Sequence, residues 1–100
     1  MRYVYIMTNK VNTVLYIGST SDIVARTLGH KKEVYPDAFT RRYRCFKLVW
    51  YEEYHDHTEA VDQEYRMKRW RRDWKEALIN SVNPEWKDLS EGWYTEADMR

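Results

Sequence analysis

The sequence predicts an α+β fold in which a small three-stranded antiparallel sheet is flanked by helices. Two observations predict it. Three short runs rich in β-branched and aromatic residues occur at 2–8, 13–18 and 46–53. Helical patterns follow the second and third runs, at 19–32 and 56–80, which gives the order ββαβα. A chain of 100 residues suits one domain, which we expect over 1–89, followed by a weakly specified tail over 90–100.

The first two runs, RYVYIMT and TVLYIG, are predicted to form a hairpin, because the residues between them, NKVN at 9–12, are typical of a turn. With this loop, Tyr5 lies opposite Tyr16, and the two neighbouring pairs are Met7 with Val14 and Thr8 with Thr13. Directly opposed residues share a face of a sheet, so this register places the two phenols side by side.

The segment 19–32 is predicted to be a helix with its N-cap among Ser19, Thr20 and Ser21, and with Asp22 in the first turn. Arg26 and His30 are four residues apart and therefore lie on one helical face. Residues 33–44 are interpreted as a connection that contains the pair Pro36-Asp37.

The segment 56–80 is predicted to be helical, as one helix or as two pieces, with Thr58 as its N-cap. Asn83 before Pro84 is typical of the cap and first residue of a further short helix.

One helical stripe of this segment contains an unexpected carboxylate. The stripe follows steps of four and three residues: Ala60, Glu64, Met67, Arg71, Trp74 and Leu78. A buried and unpaired charge would cost several kcal/mol, so Glu64 requires a compensating partner. The sequence leaves three partners open: a metal ion, an arginine (Arg26 or Arg71), or Lys68 one turn later together with water.

The local distribution of charge is more informative than the net charge of +1. Five of the eight residues in YRMKRWRR, at 65–72, are basic and surround Trp70. This pattern fits either contact with phosphates or a solvated helix face. The basic residues that we expect at a nucleic-acid surface are Lys31, Lys32, Arg69, Arg71 and Arg72. Arg41, Arg42 and Arg44 extend the basic cluster that begins at His30.

The composition excludes several classes of protein. The single cysteine, Cys45, excludes an internal disulfide and a cysteine-based zinc cage. No apolar run approaches the roughly 18 residues of a membrane span, and the N-terminus lacks a signal-peptide pattern. We therefore expect a cytoplasmic protein with no membrane partner, of open oligomeric state.

Several short motifs, taken in order, resemble the GIY-YIG endonuclease superfamily, most closely its small single-domain bacterial branch. The resemblance covers residues 2–89, although Tyr3 replaces the leading glycine of the first triplet. The motifs are YVY (3–5), YIGST (16–20) with Arg26 and a following HK, FTRRY (39–43), LVWYEE (48–53), Glu64 with KRWRR (68–72), and NPEWKDL (83–89).

The resemblance implies a metal-dependent nuclease that hydrolyses nucleic-acid phosphodiester bonds, DNA more than RNA, with a role in repair or turnover. It implies that Glu64 binds one Mg²⁺ or Mn²⁺ ion and that Arg26 contacts the phosphate as charge builds. Tyr5 is the preferred base and Tyr16 the orienting tyrosine, while His30 would donate to a phosphate or relay a proton. Asn83, or alternatively Asn80, would be the late asparagine of the family.

Gly18 is expected to let the substrate approach the strand end closely. Two alternatives to an active nuclease stay open at this point. One is a nucleic-acid-binding module with weak or no catalysis, and the other is a protein-interaction domain that uses the aromatic residues of WRRDW (70–74) and EGWY (91–94).

Overall fold

A computed structural model describes residues 1–32 and 39–100, so the Pro36-Asp37 part of the predicted connection 33–44 lies outside the described residues. The prediction of a connection is wrong for its later part, because Phe39–Arg42 form a short helix. The described elements are β1 (Arg2–Thr8), β2 (Leu15–Thr20), α1 (Ile23–Lys31), α2 (Phe39–Arg42), β3 (Lys47–Tyr54), α3 (His57–Lys68) and α4 (Arg72–Val82). The strands form one antiparallel sheet in the order β2-β1-β3. The predicted α+β class is therefore confirmed.

The central strand, β1, sends alternate side chains into two separate apolar layers. Val4 and Ile6 pack with Ala60, Met67 and Ile79, which lie on α3 and α4. On the opposite face, Tyr5 and Met7 pack with Ile23 of α1 and with Cys45 and Leu48. The sheet is thus enclosed by α1 on one face and by α3 and α4 on the other.

The predicted register of the hairpin is wrong by two residues, because the loop includes residues 13 and 14. Tyr5 lies opposite Gly18, and Tyr16 lies opposite Met7. The Asn9 side chain explains the longer loop: its Oδ1 accepts hydrogen bonds from the amides of Thr13, at 2.8 Å, and Val14, at 3.1 Å. A shift of two residues preserves the face, so Tyr5 and Tyr16 are diagonal neighbours instead of an opposed pair.

Both predicted N-caps are wrong, because an aspartate caps each helix. Asp22 accepts a hydrogen bond from the Ala25 amide at 3.0 Å, and Asp56 accepts one from the Thr58 amide at 3.0 Å. The long helical pattern does break into two pieces. The helix α3 is followed by its C-cap Arg69, and α4 begins at Arg72.

The predicted helix after Asn83 is absent from the described structure, since Asn83 is instead the C-cap of α4. In the C-terminal tail, Trp93 packs against the apolar layer beside α1, and the Tyr94 hydroxyl donates to the Val24 carbonyl at 2.7 Å. Within residues 1–32 and 39–100, no helix has the length and apolarity that crossing a membrane would need.

Candidate active site at the edge of the sheet

Three of the predicted site residues form a hydrogen-bonded cluster between the sheet and α1. The Tyr5 hydroxyl lies 3.0 Å from Nε2 of His30 and accepts a hydrogen bond from Nε of Arg26 at 3.4 Å. Arg26 and His30 reach the same phenol because residues four apart share a helical face. Tyr16 completes the cluster, with its ring centroid 6.1 Å from that of Tyr5 and 5.7 Å from that of His30.

His30 is a buried, neutral member of this cluster. It is 3 % exposed, and burial together with the Arg26 charge lowers its pKa to about 4. Because Arg26 donates to the Tyr5 oxygen, we assign the Tyr5 hydroxyl as donor to Nε2, which leaves the proton on Nδ1 to be donated to Thr40 Oγ1 at 2.8 Å. Both ring nitrogens are therefore used inside the protein, and a direct bond to phosphate would break one of these contacts.

Tyr5 is also fully buried, and burial is the main cause that raises its pKa above the ordinary value. Its ring occupies the space above Gly18: a Cβ at that position would lie 2.6 Å from the Tyr5 hydroxyl oxygen and 2.7 Å from Cζ. In the described structure, the Tyr5 ring fills the space that a side chain at position 18 would need. Packing against Tyr5 therefore explains the glycine, and the expected approach of a substrate does not.

Tyr16 is partly exposed and lies in a groove of about 260 Å³ that follows the outer edge of the sheet. The groove is lined by Leu15, Tyr16, Ile17, Phe39, Lys68 and Lys75. Phe39 begins α2, whereas Lys68 and Lys75 come from α3 and α4, so the groove joins the two faces of the sheet across β2. Tyr16 is therefore the tyrosine of the pair that a substrate can reach.

Glu64 lies on the other side of β2 from the tyrosines. Its Oε1 accepts a hydrogen bond from Ser19 Oγ at 2.7 Å, and Ser19 pairs with Val4, whose side chain belongs to the α3 layer. Its Oε2 lies 2.8 Å from Lys68 Nζ. Burial alone would raise the Glu64 pKa, but hydrogen bonds from Lys68 and Ser19 and the charges of Lys68 and Arg2 outweigh it and lower the pKa. The carboxylate is ionised at neutral pH.

The residues around Glu64 fit a hard cation held through one carboxylate. The Glu64 side chain is 19 % exposed and charged, which suits Mg²⁺ or Mn²⁺ with most ligands supplied by water and phosphate. Among residues 1–32 and 39–100, no cluster of three acidic, histidine or cysteine side chains could form a closed metal cage. Binding through Oε2 would require Lys68 to move away from that oxygen.

The predicted phosphate-binding residues divide into two groups. Lys31 donates to Asp88 and to the Phe46 carbonyl, and Arg72 donates to the carbonyls of Asn12 and Thr13. These two side chains hold the fold together, so their prediction as nucleic-acid contacts is not supported by their geometry. The other three, Lys32, Arg69 and Arg71, are exposed as Arg72 is, but the polar contacts of Arg69 and Arg71 are with residues near in the chain, Tyr65 and Asp73.

The two candidate asparagines lie away from the cluster. The Asn83 side chain is buried and donates to the carbonyls of Val49, at 3.0 Å, and Lys87, at 2.9 Å. Val49 belongs to β3, at the opposite edge of the sheet from β2. Asn80 accepts from the Trp86 indole at 2.6 Å. Both side chains stabilise the C-terminal segment, and the structure does not bring either to the tyrosines.

Sequence reasoning missed five residues of the site: Ser19, Phe39, Thr40, Lys68 and Lys75. The sequence indicates Lys68 only as a surface partner of Glu64. Phe39 and Thr40 occur in the motif FTRRY, but the motif assigns them no role, and the contact of Thr40 with His30 spans ten residues. Phe39 and Lys75 come to Tyr16 from separate helices. Only the short motif YIGST could have drawn attention to Ser19, since it directly follows Gly18.

Comparison with known proteins identifies the family of this chain. A family model described as the GIY-YIG catalytic domain matches residues 1–77. A UPF0213 protein of Bacillus halodurans, solved by NMR in solution, superimposes with a TM-score of 0.56 at 28 % sequence identity. The alignment covers 95 % of this chain and 100 % of that one. A search of curated proteins gives no match. The chain belongs to the GIY-YIG family of nuclease domains.

Proposed function

We propose that the protein is a divalent-metal-dependent endonuclease that hydrolyses phosphodiester bonds in nucleic acid, DNA in preference to RNA. The observation that carries this proposal is the groove along β2. Tyr16 lines it, the Tyr5–Arg26–His30 cluster lies behind Tyr16, and Lys68, the partner of Glu64, forms its other wall. A role in DNA repair or turnover in the cytoplasm is part of the same proposal.

In this proposal Tyr16, reacting as its phenolate, takes the proton of the attacking water, and Tyr5 does not. The assignment reverses the expectation from sequence, because Tyr5 is fully buried and its raised pKa keeps the phenol protonated. Tyr16 reaches the groove and packs against the Tyr5 and His30 rings, which fix its orientation. A general base at this place is typically worth about 10²–10⁴-fold in rate.

Arg26 binds the phosphate and stabilises the charge that develops on its oxygens. A guanidinium carries five N–H donors, so its Nε bond to Tyr5 is compatible with a second bond to phosphate. The Tyr5 hydroxyl thereby orients Arg26, and His30 and Thr40 in turn orient Tyr5. The cluster acts as a rigid support for one cationic group.

Glu64 would hold the metal ion through its carboxylate, with Ser19 fixing the side chain from the strand. When bound, Mg²⁺ or Mn²⁺ supplies positive charge that neutralises the phosphate and the leaving oxygen. A metal ion at Oε2 would require Lys68 to release this oxygen, and from the groove wall the Lys68 ammonium group would then be free to pair with the substrate backbone.

A second candidate function is a nucleic-acid-binding module with little catalysis. The Lys68 bridge favours it, because an ammonium group 2.8 Å from Oε2 already neutralises Glu64 without a metal ion. The two candidates differ in whether the nucleic acid is cut, and not in whether it is bound.

A cleavage assay tests the proposal. Purified protein is incubated with labelled single-stranded, duplex and branched DNA, in Mg²⁺, in Mn²⁺ or in EDTA. Glu64→Gln preserves the shape of the side chain and removes its charge, and Arg26→Gln removes the phosphate contact. Glu59→Gln, an exposed position on the same helix, is the matched control. We expect metal-dependent cleavage in the parent protein and in Glu59→Gln, and a loss of about a hundredfold or more in the other two.

Salt-sensitive binding with no cleavage in any metal would instead support the binding module. Equal cleavage by the parent protein and Glu64→Gln would contradict the proposed role of the carboxylate.

A further inference from the structure

Two openings on the surface adjoin at a pair of aromatic rings. The first is the groove along β2, to which Phe39 contributes. The second is a hollow of about 580 Å³ whose lining includes Lys10, Tyr43, Arg44 and Lys47. The ring centroids of Phe39 and Tyr43 are 4.5 Å apart, so the end of the groove and the start of the hollow meet at these two rings.

The aromatic rings form a continuous run that begins at the proposed base. Phe39 stacks on Tyr16 with centroids 6.1 Å apart and an interplanar angle of 26°. Phe39 is 44 % exposed and Tyr43 is 41 % exposed, although large apolar rings usually become buried when a core has room for them. An exposed ring that contacts a catalytic side chain is well placed to bind a flat group of the substrate.

Basic side chains lie on both sides of this aromatic run. Lys68 and Lys75 line the groove, and Lys10, Arg44 and Lys47 line the hollow. Among the lining residues that the structure describes, the one carboxylate is that of Asp88, and it is paired with Lys31 at 2.5 Å. Both openings therefore have a positive balance of charge and fit a chain of phosphates.

We propose that the groove and the hollow form one track for single-stranded nucleic acid, in which an unpaired base next to the cut phosphate stacks on Phe39. The inference rests on the proposed nuclease function, whose substrate it specifies. A base inside a duplex has both faces covered by its neighbours, so only an unpaired base can offer a face to an exposed ring. The lysines and Arg44 contact the phosphates on either side of that base.

Binding is measured by fluorescence anisotropy in EDTA, so that cleavage plays no part. The probes are a labelled thymidine oligonucleotide, a uridine oligonucleotide of equal length, and a duplex. Phe39→Leu is expected to weaken binding to the single strands by about tenfold and to leave duplex binding unchanged. Tyr51→Leu is the matched control, because Tyr51 is 38 % exposed and lies on β3. Phe39→Trp, which keeps a large aromatic ring at this position, should bind single strands about as tightly as the parent protein.

An oligonucleotide with abasic positions isolates the stacking contact. If a base stacks on Phe39, the parent protein binds this probe about as weakly as Phe39→Leu binds the normal strand. The substitution then causes no further loss on the abasic probe. An additional loss there would mean that Phe39→Leu merely disturbs the fold, and it would overturn the proposed stacking.

The phosphate contacts are tested through the dependence of binding on salt. Replacing Lys47 or Lys10 with glutamine should reduce the slope of log K against log salt by about 0.7 for a single strand. Arg66→Gln is the control, because the Arg66 charge acts on Tyr54 of β3, at the far edge of the sheet. An unchanged slope in both lysine variants would remove the hollow from the track.

The outcome separates this inference from the proposed function. Binding through Phe39 without metal-dependent cleavage would sustain the track and contradict the nuclease. Metal-dependent cleavage, with the parent protein and Phe39→Leu binding single strands equally well, would support the nuclease and contradict the track. Equal losses of single-strand and duplex affinity in Phe39→Leu would also overturn the single-strand track. A preference between the thymidine and uridine strands would show which nucleic acid the track favours.

Discussion

The two faces of the sheet hold their parts of the site in different ways. On the α1 face, Tyr5 and His30 are buried and joined to Arg26 and Thr40 by hydrogen bonds. On the α3 face, Glu64 is partly exposed, and one of its oxygens is held by a lysine whose side chain is 52 % exposed. The first half is fixed by packing, whereas the second has a partner that water or a metal ion can replace.

The difference indicates a division of labour. A buried network of satisfied hydrogen bonds is costly to disturb and keeps its geometry without a ligand. An exposed ion pair contributes about 0–1 kcal/mol and exchanges easily. In the proposed nuclease, the α1 face would orient the substrate phosphate and the α3 face would load the metal ion reversibly. The following predictions test this assignment, from the largest expected effect to the smallest.

Removing one hydroxyl from each tyrosine should give opposite results. Tyr16→Phe should reduce cleavage by about 10²–10⁴-fold, because the base is lost. Its free energy of unfolding should change by no more than about 0.5 kcal/mol. Tyr5→Phe should lower the free energy of unfolding by about 1–3 kcal/mol, because buried His30 loses the partner of Nε2. Single-turnover cleavage and urea unfolding measure both effects, and equal stability losses would contradict the division.

Acid should destabilise the α1 face through His30. Its pKa is about 4 in the folded protein and about 6.5 when unfolded, so the unfolded chain binds more protons between these values. The contribution of His30 to stability is therefore complete above pH 6.5 and is lost as pH falls toward 4. The free energy of unfolding should fall by about 3 kcal/mol over this range. In His30→Gln the free energy of unfolding should depend less on pH between 6.5 and 4. An equally steep pH dependence in His30→Gln would contradict the role given to His30.

Gly18→Ala tests how tightly the α1 face is packed. The new methyl group would meet the buried Tyr5 ring at 2.6–2.7 Å, which forces the ring to move. We expect a loss of about 1–3 kcal/mol in thermal or urea unfolding, together with reduced cleavage. Gly92→Ala is a useful contrast in packing, because a Cβ there meets no atom within 4 Å, although its φ of +87° is strained for alanine. Full stability of Gly18→Ala would show that the cluster is looser than its contacts indicate.

The smallest effect is expected on the α3 face. Lys68→Met keeps the length of the side chain but removes the charge that competes with a metal ion for Glu64. The affinity for Mn²⁺, followed by electron paramagnetic resonance, should rise by about two- to fivefold. Lys87→Met, which removes an exposed pair with Glu85, is the control. Weaker Mn²⁺ binding in Lys68→Met would mean that the lysine supports the ion instead of competing with it.

Local patterns predicted the elements of the fold better than their ends. Runs rich in β-branched and aromatic residues identified the three strands, but the predicted order ββαβα missed the short helix α2, which lies inside the predicted connection 33–44. The caps were misplaced because residues that favour N-caps occur close together, Ser19 to Asp22 at α1 and Asp56 with Thr58 at α3, and propensity alone cannot rank neighbouring candidates. The hairpin register was wrong because the Asn9 side chain organises the loop as far as Val14, through local bonds that turn composition does not reveal.

The family resemblance predicted the tyrosines, Arg26, His30 and Glu64 as site residues, and the individual roles proposed for them depend on burial. Tyr5 and Tyr16 have equivalent patterns in the sequence, and only packing makes one buried and the other accessible. Lys31 and Arg72 belong to clusters that indicate a nucleic-acid surface. Their partners, Asp88 and the carbonyls of Asn12 and Thr13, are 57 to 60 residues away, and such distant contacts leave no periodic signal.

The central claim is that the two faces of the sheet act on one point in the groove. The most direct test is an NMR titration with Mn²⁺, in which a paramagnetic ion broadens the signals of nearby nuclei. We predict broadening of the Tyr16 ring signals, with the effect abolished in Glu64→Gln and absent with Mg²⁺. Tyr16 signals that stay sharp while Mn²⁺ binds at Glu64 would contradict the account, because the carboxylate and the tyrosine would then serve separate sites.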